Sequence, residues 1–296
     1  ETAYIRIINM NTEIALKVEG MSLAEAMGIS TGGTTTSQSS LARVNQIHSA
    51  LTETDAEGDE HIKIPVGAYK VTLSDGEVVY SKTISTRIFS QRHQWQRWDA
   101  DAKSMHKTLL STSLNVDLKD TTGRFNLGRP SGYIKDFQSL PEEMKTIIRG
   151  VKRVRVLLGV LTLDKPTDDK GVAIKGLDAE IPFVMDVKNN ESMKAMDAAI
   201  SQIINKKLTP VEHTLKLGSA KRDLPSGGKY AIIVPSLGEQ VSYGSDDSKI
   251  LQDFIDWISG TNSWIEGKHK EAAVGNISDA DAKIVGSIVE VREFEG

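Results

Sequence analysis

Apolar and polar positions alternate along much of the chain, and the alternation marks strands. Lys152 to Leu158 reads in period two, with Val154, Val156 and Leu158 on one face and Arg153 and Arg155 on the other. That is the pattern of a strand with one buried and one charged face. Leu41 to His48 is a candidate strand, and His61–Ile64, Tyr69–Leu73, Val78–Tyr80 and Thr83–Thr86 follow with clear β character. Asp75-Gly76 between two alternating runs predicts a tight hairpin, since its turn favours residues that tolerate positive φ. Ile181–Val187 is a further strand, with Pro182 suiting an edge or a strand start. Leu215–Leu217 and Tyr230–Val234 flank Leu224-Pro225-Ser226-Gly227-Gly228 and predict a second hairpin.

Helical spacing is confined to fewer stretches. Pro141-Glu142-Glu143-Met144 opens a helix, with proline and acids in the first turn as the macrodipole prefers. Asn190 caps a helix through Lys206 whose Met193, Met196, Ile200, Ile203 and Ile204 form one apolar, core-facing stripe. Ser245-Asp246-Asp247 caps another, with Ile250, Phe254, Trp257 and Ile258 on one face; Trp264 and Ile265 close it back onto the domain. Ser22 to Glu25 resembles a capping box, and the Ser/Thr/Gly-rich run at 30–40 reads as a flexible arm. The whole predicts an α+β protein, mostly antiparallel, as an OB-like barrel or twisted sheet with an internal helix and a C-terminal helix. Its parts are an N-terminal segment at 1–40, one core domain at 41–272 and an acidic C-terminal segment at 273–296.

Composition narrows the chemistry. The 296 residues hold no cysteine, which excludes disulfides, thiolate zinc sites and a cysteine nucleophile. No apolar run approaches the ~20 residues of a membrane span, and no signal peptide stands at Glu1. The six histidines are scattered. No Walker loop, dinucleotide fingerprint or Gly-x-Ser-x-Gly elbow is present, and the acidic stretch Thr52 to Glu60 lacks the ligand spacing of a calcium loop. The expectation is a non-catalytic protein with no cofactor and no metal.

Candidate chemistry therefore lies in charge and aromatic groups. Lys145 to Arg155 carries five cations and no acid in a chain of net charge −4. Like charges on one strand face repel, so folding does not ask for them. A cationic surface for phosphate, through Lys152, Arg153 and Arg155, is the functional reading; an outer face paired with acids elsewhere is the bland one. Arg92, Trp95, Arg97 and Trp98 combine indoles with guanidiniums, which can stack on unpaired bases or pack in a core. On a strand, positions three apart point to opposite faces, so one tryptophan packs and the other is exposed. The loop from Asp120 to Tyr133, with Arg124, Phe125, Tyr133 and three glycines, forms either an anion-binding nest or a turn cluster. Lys207 and Arg222 belong to a stretch, Lys206 to Lys229, of net charge +4 (six cations, two acids). The last twenty residues carry five acids and two cations, suiting a tail that competes with nucleic acid or recruits partners, or a final strand.

Leu118-Lys119-Asp120 through Gly132-Tyr133-Ile134-Lys135-Asp136-Phe137, then Leu140-Pro141, the Val151 to Val156 strand and Ile181 to Asn189, resemble a group of proteins encoded by marine tailed phages. The resemblance covers roughly residues 40 to 265. It implies a phage replication or recombination protein that binds single-stranded DNA on an OB-like barrel, in the cytoplasm of the infected bacterial host. Here the cysteine zinc site and the long acidic tail of the better-known phage single-strand binders are missing. Expected partners are single-stranded DNA, replication or recombination proteins recruited by the acidic segment, and further copies of the chain. The rival expectation is a structural virion or assembly protein acting through protein contacts.

Overall fold

The computed structural model describes residues 41–223 and 228–275. The expected helix start at Ser22, the arm at 30–40, the turn at 224–227 and the acidic segment beyond 275 lie outside the described residues. Strands β1 (Ala42–Gln46), β2 (Leu51–Thr54), β3 (Glu60–Ile64), β4 (Tyr69–Thr72), β5 (Val78–Ser81), β6 (Thr83–Asp99) and β7 (Ser104–Lys107) come first. Helix α1 (Glu142–Gly150) leads into β8 (Lys152–Asp164) and β9 (Ile181–Val187), and α2 (Asn190–Asn205) into β10 (His213–Asp223) and β11 (Lys229–Gln240). Helix α3 (Ser245–Gly275) ends the described chain.

The architecture is mixed α+β, mostly strand. Nine strands form one sheet in the order β11-β10-β6-β8-β9-β1-β4-β5, with β7 added to β6. Every neighbouring pair is antiparallel except β1 with β9. The ladder is open: no pairing joins β11 to β5 among the described residues, so a closed barrel is not formed. The Asp75-Gly76 hairpin joins β4 to β5 as its sequence predicts, with Gly76 at φ 92°. The acidic stretch is a separate hairpin of β2 and β3, tied by Asp55 Oδ1 accepting from the Glu57 and Asp59 amides.

β6 and β8 form the spine, and both of their faces are covered. On one face Leu157, Leu161, Phe183, Met185 and Ile88 pack under Met193, Met196, Ile200 and Ile203 of α2. On the other, Val154, Val156, Leu158 and Val184 pack under Phe254 and Ile258 of α3. Full burial of a side chain such as Phe254 contributes ~1.5–3 kcal/mol, so the two helices clamp the sheet from both sides. The unbroken apolar run from Val156 to Val160 follows from this, because a strand covered on both faces loses its alternation.

That arrangement corrects the reading of Arg153 and Arg155 as one open charged face. Arg153 is exposed, but Arg155 lies beneath α2 at 3% exposure, paired with Asp197. Three smaller corrections concern helices. Asn189, not Asn190, is the cap of α2, its Oδ1 accepting from the Glu191 and Ser192 amides. Ile204 leaves the apolar stripe and is 56% exposed. α3 runs on for 31 residues, so Trp264 and Ile265 lie within it; Ile265 is fully buried against the domain, while Trp264 is 42% exposed.

β6 carries a bulge: Ile88 pairs with Gly159 and Ser90 with Leu158, leaving Phe89 unpaired. Phe89 turns to the α3 face, where its ring meets Phe254 edge-on at 5.6 Å. A Cβ at residue 159 would overlap the Arg87 carbonyl, so the close approach of the two strands here requires glycine.

Candidate functional site

The site forms where the free edge of β6 is left unpaired. β10 covers that edge only from Ile84 to Thr86. Further along, His93 exchanges hydrogen bonds with Ser111 at 2.6 and 2.9 Å, the Trp95 carbonyl accepts from the Thr108 amide, and β7 pairs from Gln96 onward. Between these covers the edge is open at Arg87 to Arg92. A cavity of about 380 Å³ opens at this gap, and a second of about 330 Å³ adjoins it beyond the covered edge, at His93 and Trp95. Both are lined by His93 and Thr112, so together they make a trough along β6 from Ile88 to Trp95, about 20 Å at 3.3 Å per residue.

The charge of the trough is one-sided. Arg92 lines the wider cavity, Arg129 and Arg153 the narrower, and no acid lines either. Arg92 is steered by its donations from Nη1 to Ser90 Oγ and the Gln91 carbonyl. Arg129 lies over the Trp95 ring at 4.2 Å, a cation–π contact, and its Nη1 donates to the Pro130 carbonyl. Trp95 is 8% exposed and packs with Leu127 and Val151.

Hydrogen bonding singles out the same place. Five buried side-chain nitrogens among the described residues have no hydrogen-bond partner in the chain, and four belong to His93 (Nδ1), Trp95 (Nε1) and Arg155 (Nε, Nη1). The fifth, Arg87 Nη2, still lies 2.9 Å from Asp247 Oδ2 as an ion pair. His93 faces Arg155 across the ladder and Trp95 faces Arg153, so these four side chains share one sheet face. A dry, unpaired donor costs ~1–3 kcal/mol, a concentration of cost that packing alone does not call for. Burial, then Arg153 and Arg155, hold the His93 imidazole below its ordinary value of 6.5, against a smaller opposing pull from Asp197.

A stability test follows from His93. Its folded pKa is lowered, so as pH falls the unfolded chain takes up the proton first. The stability contributed by the neutral ring is full above about 6.5 and declines as pH falls below that value. Thermal unfolding of His93→Gln across pH 5 to 8 should lose less midpoint at the acid end than the parent chain. A parallel pair of curves would show that His93 does not titrate under these charges.

The sequence-derived candidates divide among several surfaces. Arg92, Trp95 and Arg153 line the trough. Tyr133, 87% exposed, follows the cavity-lining Gly132, and Lys207, exposed, stands two residues before the lining stretch Thr209 to Val211. Arg97 is half-buried and donates to the Leu127 carbonyl. Trp98 is 57% exposed on the opposite sheet face, opposite Met105 of β7, and Lys152 shares that face. The expected asymmetry of the two tryptophans is thus the observed one, but the buried Trp95 cannot itself stack a base. Phe125 meets His269 of α3 edge-on at 5.5 Å, and Arg124 beside it in the loop is exposed. Arg222 pairs with Glu191 at the start of α2, whose 16 residues span about 24 Å and separate it from Lys207.

The Asp120–Tyr133 loop decides between nest and turn cluster. Its amides do converge on an anion, and the anion is the carboxylate of Asp120. Asp120 Oδ1 accepts from the Thr122 and Arg124 amides and the Thr122 hydroxyl, and Oδ2 accepts from the Leu127 amide at 2.7 Å. The expected nest is therefore filled from within, and the loop's contribution is to hold Arg129. Sequence reasoning missed Arg129, His93 and the wall at Thr112, Ser113 and Asn115. Only the cation at the end of a glycine-rich loop was a usable signal; the wall is plain polar chain brought in by tertiary pairing.

Among the described residues no group of three or more His, Asp or Glu is placed to hold a metal, and no helix is long and apolar enough to cross a membrane. No family model, curated protein or solved structure matches this chain.

Proposed function

We propose that the chain binds single-stranded DNA without catalysis, the backbone running in the trough and the bases turned outward. The observation that carries this is the trough itself: three arginines and no acid in its walls, within a chain of net charge −4. Such a channel attracts a polyanion by charge and tracks its backbone. Exposed Tyr133, next in the chain to the lining Gly132, offers an aromatic face, worth ~1–3 kcal/mol per stacked base. A duplex keeps its bases stacked on one another and has none to offer it. On this reading the long, bulged β6 and its partner β8 serve as the curved strands of an OB-like surface within an open sheet. The resemblance of the motifs from Leu118 to Asn189 to tailed-phage proteins supports a role in phage replication or recombination inside a bacterial host.

The test is electrostatic. Arg92→Gln with Arg153→Gln should weaken binding to all oligonucleotide sequences alike. The plot of log affinity against log salt should flatten by about 1.4, at ~0.7 for each single-strand phosphate that is no longer neutralised. Arg222→Gln is the control, because Glu191 already neutralises that guanidinium. An unchanged slope in the folded double variant contradicts phosphate binding in the trough.

A second reading, a virion or assembly protein, is favoured by one feature. The β2–β3 hairpin forms a two-stranded sheet of its own, packed on β5 through Ile64 and Tyr80, with Ile62 65% exposed as on a subunit-contacting edge. Self-association that ignores oligonucleotide in gel filtration supports that reading over the first.

A further inference from the structure

We infer that the smaller cavity, with Arg129 in its wall, is a seat for a terminal phosphate, a phosphomonoester dianion at a strand end. The phosphate specificity rests on the cavity alone; its attachment to a strand rests on the function proposed above.

Hydrogen-bond type narrows the ligand first. Trp95 Nε1 and the Arg129 and Arg153 guanidiniums only donate, so the ligand that satisfies them must accept several bonds and bring no donor of its own. Phosphate oxygens meet that requirement, and a nucleobase edge, with amino and imino groups, does not. Trp95, 8% exposed, and half-buried His93 both line the cavity and both hold a ring nitrogen without a partner. Arg155 is outside the cavity wall, next to His93 across the ladder, so its share is charge.

Depth and charge then choose the monoester. A phosphodiester within a strand is flanked by sugars on both sides, which suits the open trough better than a pocket floored by a side chain nine-tenths buried. A terminal phosphate enters end-on. Three guanidiniums, of Arg129, Arg153 and Arg155, less the Asp197 carboxylate, leave two net positive charges around the cavity. A monoester carries about −1.5 to −2 at neutral pH, a diester one negative charge. The seat therefore matches the charge that only a strand end, a mononucleotide or free phosphate brings.

Titration calorimetry on the full chain separates these sources. The probes are inorganic phosphate, thymidine 5′-monophosphate, and thymidine oligonucleotides of one length with a phosphate at the 5′ end, the 3′ end or neither. A phosphorylated end should tighten binding about tenfold, from charge-assisted bonds formed at the seat. Inorganic phosphate should compete that advantage away. Trp95→Phe, which keeps the ring and removes the N–H, and Arg129→Gln should each bring the ratio towards one. Equal affinity for all three oligonucleotides overturns the seat and leaves strand binding standing. A tenfold ratio that survives both variants also overturns it, since the end is then read elsewhere. Binding of phosphate and mononucleotide with no oligonucleotide bound at all keeps the seat and removes the strand.

Discussion

Asp120→Ala should cost about 3–5 kcal/mol of stability and abolish ligand binding at the trough under conditions where the chain stays folded. Asp120 is fully buried, and its carboxylate is the acceptor for three backbone amides and a hydroxyl of its own loop. Alanine leaves those amides unpaired at ~1–3 kcal/mol each, less whatever water recovers. The loop backbone has no easy alternative, because Asn126 and Leu127 already sit at φ 51° and 58°, a conformation non-glycine residues adopt only when held. Release of the loop withdraws Arg129 from Trp95 and loosens the loop's hold on α3, where His269 Nδ1 lies 3.0 Å from the Asp120 carbonyl oxygen. Asp120→Asn keeps one acceptor oxygen and should fall between the two. Urea unfolding gives the cost, and an oligonucleotide titration below the transition gives the loss of binding. Full binding by a destabilised alanine variant would detach the loop from the site.

Asp197→Ala should destabilise the chain by about 3 kcal/mol, the low end for a broken buried pair because Asp197 itself is 58% exposed. The loss falls on Arg155, which is 3% exposed and already has two nitrogens without partners. Removing the charge from both sides is different. Arg155→Leu with Asp197→Ala replaces an uncompensated cation by an apolar side chain beside Leu157 and should recover most of the stability. A double-mutant cycle by chemical denaturation measures this. Additive losses would mean that the pair does not interact.

The periodic parts of the sequence carried the local structure. The Asp75-Gly76 hairpin, the β8 strand, the stripe Met193, Met196, Ile200 and Ile203, and the opposite fates of Trp95 and Trp98 follow from spacing alone. Spacing does not report what covers a face. Arg155 has the alternation of an exposed residue, and only a helix 42 positions later buries it. The trough was illegible for the same reason: β10, and β7 with the Thr108 to Ser111 segment that continues it, cap the edge of β6 from two distant parts of the chain and leave a gap. The Asp120 loop showed its glycines and arginines, but which anion its amides hold was a matter of tertiary geometry.

Photo-cross-linking of a thymidine oligonucleotide to the full chain, mapped by mass spectrometry, asks directly whether a single strand lies in the trough. Strand binding there predicts cross-links at Tyr133 and within Ile88 to Trp95, suppressed by high salt as phosphate binding weakens. Cross-links confined to the β10–β11 hairpin around Arg222, or none at saturating oligonucleotide, would contradict it.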